Sequence, residues 1–384
     1  MNFDFDEDQQ ELRGTVRRFL DHSSAEADVR RLMATELGYD RAVWERMATE
    51  LGLHGLAIPE EYGGAGFSFT ELGIVLEEMG RALLCAPFFA SVVLAAELLK
   101  ATDDEQARKD YLPGIASGDT IATVALTEDD GGWAPSSVTV RAVRYGGTWR
   151  LTGTKTYVPD GLSAGLILVV ARTADGIGVF SVEGSADGLT RQALPTMDQT
   201  RKQASLRFDA TPVRLLGGPA DGWTAVERML RVAAVGLAAE QTGGAQRALE
   251  MAVEYAKLRE QFGRPIGSFQ AIKHKCASML VMVESMKSAA YYGLWAVSSA
   301  GDELPLVASV AKAFCSDGYT MVTAENIQIH GGIGFTWEHP AHLYLKRARS
   351  SRVLLGGPDF HRDIVTRLAG ITPSTQTVHL DKEA

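Results

Sequence analysis

The sequence is short of cysteine, of basic charge and of any long apolar run, and each shortage excludes a class of protein. Its three cysteines, Cys85, Cys276 and Cys315, lie far apart in 384 residues. That leaves no even disulfide framework and no C-x-x-C pair for zinc or redox work, and it fits a reducing cytoplasm. The greasiest stretch, Leu83 to Leu99, is interrupted by Pro87 and Glu97. It falls short of the roughly 20 apolar residues of a bilayer crossing, so a buried helix is expected there and no membrane partner. The acidic start, Met1 to Asp8, lacks the basic head and apolar core of a signal peptide. Lys+Arg 38 against Asp+Glu 48 gives a net charge of −10. With no basic block, the chain is not built to neutralise phosphates along a nucleic acid. No G-x-G-x-x-G opens a dinucleotide-binding unit. His339 and His342, with Glu338 beside them, are interrupted by Pro340 and have no further ligand at a familiar spacing, so no metal is expected.

What remains is an ordinary globular composition, 46% hydrophobic and 22% charged, long enough for two or three domains. Its texture changes twice. Residues 1–120 carry helical periodicity: Phe5, Leu12, Val16, Phe19 and Leu20, then Trp44, Met47 and Leu51, then a run from Ser68 to Arg81. The loop Ile58 to Gly66 between them is dense in Pro and Gly. Residues 121–220 read as short strands, Thr123–Leu126, Val138–Val140, Trp149–Leu151, Leu166–Val170, Val179–Val182 and Ser205–Phe208, separated by Gly, Asp and Ser turns. Residues 221–370 return to long helices, one of them over Val307 to Gln328, and the polar tail 371–384 is expected to be disordered. The order helical, β, helical defines an α+β chain and excludes doubly wound alternation.

Two segments concentrate chemistry. In Tyr255 to Ile272 the spacing predicts a helix ending near Phe262, a Gly/Pro turn, and a second helix starting around Ser268. Arg259 and Gln270 then stand at a helix end and a helix start, where a guanidinium and free backbone N–H groups can meet an anion. In Gln328 to Phe335 the glycines Gly331, Gly332 and Gly334 let backbone approach a phosphate closely. His330 within it reads as a structural hydrogen-bonder.

With the Pro59 to Gly66 loop, these segments resemble the acyl-CoA dehydrogenase family over nearly the whole chain, from about Phe5 to Leu368. The resemblance implies an N-terminal helical domain, a middle β-barrel or sandwich domain and a C-terminal four-helix bundle. It also implies a tetramer built as a dimer of dimers, with FAD lying across a dimer interface, an acyl-CoA thioester as substrate and an electron-transfer flavoprotein as acceptor. In the family reaction a carboxylate removes the α-proton while the β-hydrogen leaves as hydride to the flavin, and hydrogen bonds stabilise the enolate-like charge. The flavin supplies the redox chemistry; the protein supplies the base, the geometry and a dry site.

Carried over by motif, Arg259, Phe262, Gln270, Gln328, Gly331 and Gly332 form the clamp that in the family reaches a neighbouring subunit's FAD. Thr127, beside Glu128, and Tyr157 match the isoalloxazine side, with Tyr157 able to stack on a flavin ring. The serine loop after them is replaced by Asp129-Asp130-Gly131-Gly132-Trp133. Pro159 stands where the family has a threonine, and it has neither hydroxyl nor N–H to offer a flavin.

The base is missing. Its position in most of the family is Leu355 here, and the alternative position of the isovaleryl and long-chain branches is Ala233. Glu240 lies two turns beyond Ala233 on the same helical stripe, about 10 Å along the axis, and is the weak substitute. Glu227, Asp129, Asp130 and Asp160 are remoter ones. An intact clamp beside a depleted flavin and base site gives two expectations: a dehydrogenase with a displaced base in lipid or steroid side-chain catabolism, or a catalytically incomplete subunit that supplies its clamp to a partner in a heterotetramer.

Overall fold

The computed structural model describes residues 5–299 and 301–371. The N-terminal part is built from α1 (Glu7–Ser23), α2 (Glu26–Met33), α3 (Arg41–Thr49), α4 (Phe69–Arg81), α5, a π-helical stretch over Phe89–Ala95 that continues as α-helix over Ala96–Ala101, and α6 (Glu105–Ala116). Starts follow capping chemistry. Asp6 and Gln9 cap each other reciprocally at α1, and Ser68 accepts from Thr70 N at α4, satisfying N–H groups that a helix start leaves open. The Leu83–Leu99 stretch is buried within this part, as expected, and its π-helical segment widens the helix that faces the β domain.

The β domain comprises β1 (Ala122–Ala125), β2 (Arg141–Tyr145), β3 (Thr148–Pro159), β4 (Leu166–Arg172), β5 (Ile177–Glu183), β6 (Leu189–Ala193) and β7 (Gln203–Leu216). β4 pairs with β5 on one side and with β1 and β2 on the other. The ring β2–β3–β7–β5–β4 therefore closes into a barrel, with β6 added along β7. Alternation along β4 supplies two cores at once. Ile167, Val169 and Ala171 fill the barrel with Leu151, Phe180 and Phe208. Leu166, Leu168 and Val170 face the helices and join the largest apolar cluster, as the period-2 pleat dictates.

Two of the strand expectations need correcting, and one strand had none. Val138–Val140 precedes β2 instead of forming it. The strand read as Trp149–Leu151 runs on to Pro159. β6, whose residues are largely exposed and polar, was not legible, because it has no apolar alternation to reveal it.

The C-terminal part is α7 (Gly222–Leu258), α8 (Gln270–Ser299), α9 (Leu304–His330), α10 (Ala341–Val353) and α11 (Pro358–Leu368). Their shared core includes Leu249, Met279, Val283, Met286, Cys315 and Tyr319. α4 crosses α7 at backbone contact: a Cβ on Gly80 would lie 1.9 Å from Glu240 O, and one on Gly243 would lie 1.8 Å from Glu77 O. Only glycine permits this approach. The helix expected to end near Phe262 stops at Leu258; a two-strand hairpin, β8 (Glu260–Gln261) and β9 (Arg264–Pro265), follows, and the next helix starts at Gln270. All of the expected tail 371–384 beyond Ile371 lies outside the described residues. Among those described, no helix is long and apolar enough to cross a membrane.

Candidate functional site

The two clamp segments sit side by side. Tyr255, in the last turn of α7, stacks on His330, the last residue of α9, at 4.3 Å between ring centres. His330 also bonds Asn326 O through Nδ1 at 2.8 Å, which matches its expected structural role. Beyond this stack the chain turns outward. Phe262 and Gly263 at the hairpin tip both have positive φ, 56° and 76°, the left-handed pair that a two-residue hairpin turn requires. For phenylalanine that conformation costs roughly 1–2 kcal/mol, and Phe262 is nevertheless 91% exposed. Arg259, Gln270, Gln328, Gly331 and Gly332 are exposed as well. Among the described residues Arg259 has no ion-pair partner, and added Cβ atoms at Gly331 and Gly332 would meet open space. Exposed Leu258, Phe335 and Trp337 surround them. Exposed donors beside an apolar rim have the chemistry to meet a phosphate-bearing ligand such as the ADP half of FAD. His339 lies 4.2 Å from His330 between ring centres. Among the described residues no group of three or more His, Cys, Asp or Glu is placed to hold a metal.

The isoalloxazine-side residues lie elsewhere, on β3 and the segment after β1. Tyr157 is 46% exposed with φ 60°. The β3–β7 register shifts between Lys155 and Val158, so Thr156 and Tyr157 bulge out of the ladder. Thr127 is buried, with its hydroxyl donating to Thr156 O at 2.6 Å, so that donor is already spent within the fold. Pro159 offers its carbonyl to Thr123 Oγ1 at 2.5 Å. No hydrogen bond, ion pair or ring contact among the described residues joins Tyr157 or Thr127 to the clamp.

Both usual base positions are apolar core. Leu355 is 3% exposed and Ala233 is 0% exposed, and they share one cluster. Leu355 adopts φ 63° in a turn gripped from behind. His361 Nε2 donates to Leu355 O at 3.0 Å, and Lys312 Nζ donates to Gly356 O at 3.0 Å and Arg352 O at 3.2 Å. Lys312 is fully buried with no carboxylate partner among the described residues, and burial pulls its pKa down to about 7.

Glu240, the weak substitute, is engaged in structure. Its Oε2 accepts from Arg201 Nη2 at 2.5 Å and its Oε1 from Arg347 Nη1 at 3.1 Å. Arg347 reaches onward to Asp198 Oδ2 at 2.9 Å and Thr200. All these groups are buried, and they tie α7 and α10 to the loop between β6 and β7. Both carboxylate oxygens are occupied by guanidinium groups, so neither is free to take a proton from a substrate. The adjoining cavity, walled by Leu76, Met79, Phe88 and Phe89 as well as Arg201 and Glu240, holds only about 20 Å³, the room of a single water. Glu227 pairs with Arg231 at 2.8 Å on the outside of α7. Asp129 accepts from Thr156 Oγ1 at 2.7 Å, and Asp130 Oδ1 accepts from Gly132 N at 3.0 Å. Asp160 differs: it is buried, its side chain accepts no hydrogen bond from the described residues, and burial raises its pKa to about 7 against the opposing pull of Arg201, Arg347 and Lys202.

Sequence reasoning missed Arg201, Arg347 and Asp198, for which no local signal existed. Lys155, which opens the segment matched through Tyr157 and Pro159, carries no role in the sequence reading, although a lysine inside a β-rich run is a visible anomaly.

The fold matches known proteins along nearly the whole chain. Family profiles described as the acyl-CoA dehydrogenase N-terminal, middle and C-terminal domains match residues 6–119, 123–211 and 220–369. The chain is 36% identical over 353 residues to acyl-CoA dehydrogenase IpdE2 of Mycolicibacterium smegmatis, covering 92% of this chain and 96% of the relative. It superposes on a chain of the ChsE4-ChsE5 complex of Mycobacterium tuberculosis with TM-score 0.88 and 32% identity, covering 97% of this chain and 100% of that one. A variant of the steroid acyl-CoA dehydrogenase Tcur3481-Tcur3483 gives TM-score 0.86 and 33% identity, with 95% and 98% covered. The chain belongs to the acyl-CoA dehydrogenase family of FAD-dependent flavoprotein oxidoreductases.

Proposed function

We propose that this chain serves the α,β-dehydrogenation of an acyl-CoA thioester, in lipid or steroid catabolism, as the clamp-donating member of a heterotetramer. The observation that carries this reading is the contrast between its two halves. Leu355 and Ala233 are sealed in apolar core and Glu240 is held between Arg201 and Arg347. Arg259, Gln270, Gln328, Gly331 and Gly332 stand exposed beside an apolar rim. The surviving machinery is the part that acts outward, on a neighbour's FAD. The similarity to the ChsE4-ChsE5 complex, itself an assembly of two named components, supports the heteromeric form.

When bound, FAD accepts the hydride; this chain's residues would do the holding. Arg259 supplies charge-assisted hydrogen bonds to the phosphates, Gln270 and Gln328 supply neutral ones, and Gly331 and Gly332 let backbone come close. The base comes from the partner subunit. An electron-transfer flavoprotein takes the electrons, and the assembly works in the cytoplasm.

The test is a flavin count. Purified alone, the chain should retain little FAD and fail to bleach with acyl-CoAs; co-expressed with a subunit carrying a Glu base, it should yield about one FAD per pair. A homotetramer with one flavin per chain, reduced by an acyl-CoA, overturns this reading. A second reading keeps the chain catalytic through Asp160, favoured by that carboxyl's burial and pKa near 7, a value matched to a general base. Loss of flavin reduction in Asp160→Asn, with flavin retained, would select it.

A further inference from the structure

The glycine turn of the clamp belongs to a loop with a closed neck. Segment 331–338 leaves α9 at His330 and returns at His339, just before α10, and the two imidazoles lie 4.2 Å apart between ring centres. Gly331, Gly332, Phe335 and Trp337 lie on that loop, and all four are exposed. The loop folds back on its own neck, since a Cβ on Gly334 would lie 2.8 Å from His330 Cβ. On the other side Tyr255, just before Arg259, stacks on His330, so one set of rings links the two clamp segments.

The hydrogen bonds fix which ring nitrogens carry protons. His330 Nδ1 faces the Asn326 carbonyl at 2.8 Å; a carbonyl only accepts, so this nitrogen holds the proton. His339 Nδ1 accepts from Ala341 N at 3.2 Å, so it keeps a lone pair. A second proton on His339 would take that lone pair and set a cation against the open N–H groups where α10 starts. The carbonyl end of α9 would favour a cation at His330, but that ring is buried and faces a second imidazole. Burial holds both rings below the ordinary histidine value, and His330 adds to the lowering of His339. The surroundings do not reverse this. On α2, Glu26 raises His339 and Arg30 lowers it. On α10, His342 is itself pushed down to about 4, by burial first and then by Lys346. Lys346 lies over the Trp337 ring at 4.1 Å, and Glu338 is exposed.

We propose that His330 and His339 form an acid-sensitive latch: with both rings neutral, loop 331–338 is held closed against Tyr255 and the clamp is presented, and a proton gained by either ring opens the loop and releases the partner subunit's flavin. This regulation rests on the clamp reading above. The closed loop is at full strength above the ordinary histidine value of 6.5 and weakens as pH falls below it, because the open state takes up protons there that the closed state refuses. One pH unit below that value, the opening equilibrium shifts by about tenfold for each ring that stays neutral.

Hydrogen exchange on the full chain reads the loop without any flavin. Corrected for the chemical rate at each pH, exchange across residues 331–340 should be roughly tenfold faster at pH 5.5 than at pH 7.5, while α7 keeps its protection. In His330→Phe/His339→Asn that difference should vanish: the phenyl ring keeps the stack, the Asn oxygen still accepts from Ala341 N, and neither side chain takes a proton. In the assembly with its partner subunit, FAD retention should fall over the same interval in the parent and stay level in the double variant. Arg259→Ala should lower retention at both pH values and keep the fall. If the double variant does not fold, His339→Lys carries the charge permanently and should exchange fast already at pH 7.5. Exchange that ignores pH, or a double variant that keeps the parent's difference, overturns the latch. Exchange that responds while FAD retention does not would uphold the closing of the loop and overturn the release of flavin. A flavin count that defeats the clamp reading leaves the exchange result to decide the latch by itself.

Discussion

Arg347 and Glu240 face each other inside the protein, Nη1 to Oε1 at 3.1 Å, with both side chains buried. The pair joins α10 to α7, and through Asp198 and Arg201 it joins both to the β domain. Removing one partner of such a buried pair leaves charge uncompensated, which costs about 3 kcal/mol or more. Glu240→Gln should therefore lower the midpoint of chemical denaturation clearly. In whatever molecules remain folded, the assembly should keep its dehydrogenation rate. A folded variant with normal stability and a rate lowered by orders of magnitude would instead make Glu240 the base.

Restoring a carboxylate at the family's usual position should not restore a base. Leu355 lies 3% exposed in an apolar cluster that also holds Leu354 and Ala233. An acid there has no hydrogen-bonding partner in the cluster, and an unpaired buried polar group costs about 1–3 kcal/mol or more. Leu355→Glu should unfold at a lower temperature than the parent and, without a partner subunit, still fail to bleach flavin with acyl-CoAs. Calorimetry and a single absorbance titration at the flavin band check both halves.

The legibility of the sequence divided along the same line as the site. Helix starts at Asp6 and Ser68, the run of apolar β4, and the clamp motifs around Arg259 and Gln328 each announce themselves within a few residues, because caps, periodicity and turns are local physics. The Glu240–Arg347–Asp198 network could not be read that way. Its members are separated by more than a hundred positions in two of the three pairings, and only the packing of α7, α10 and the β6–β7 loop brings them together. The hairpin at Phe262 lies between these cases. The Gly and Pro there announced a turn, but an outward-facing phenylalanine at its tip made a longer helix look better than it was.

Asp160 gives the fold a pH dependence of definite sign. Its pKa is about 7 in the folded chain, raised by burial, against an ordinary value of 3.8. Between those values the folded state holds a proton that the unfolded state has released. The group's contribution to stability is fully present below about 4, falls as pH rises through the window, and is lost above about 7. Asp160→Asn removes the titration. Its stability between pH 4.5 and 7.5 should be flatter than that of the parent, and it should be the more stable protein at pH 7.5. Urea midpoints across that range, compared between the two, decide the matter; parallel curves would show that Asp160 is not the titrating group.

Arg259 should separate holding a cofactor from holding the fold. It is exposed, it has no ion-pair partner among the described residues, and its backbone already closes α7 through Tyr255 O at 2.8 Å. Arg259→Ala should therefore leave the thermal midpoint of the isolated chain within the small range of ordinary surface substitutions, about 0.5 kcal/mol. In the assembly the same change would remove the proposed charge-assisted bond to a phosphate, worth about 1.5–3 kcal/mol, so FAD should be lost roughly tenfold or more readily on dilution. Arg259→Lys keeps the charge but not the planar fork, and it should fall between the two. Equal FAD retention in all three proteins would mean that the exposed face around Phe262 meets something other than a phosphate.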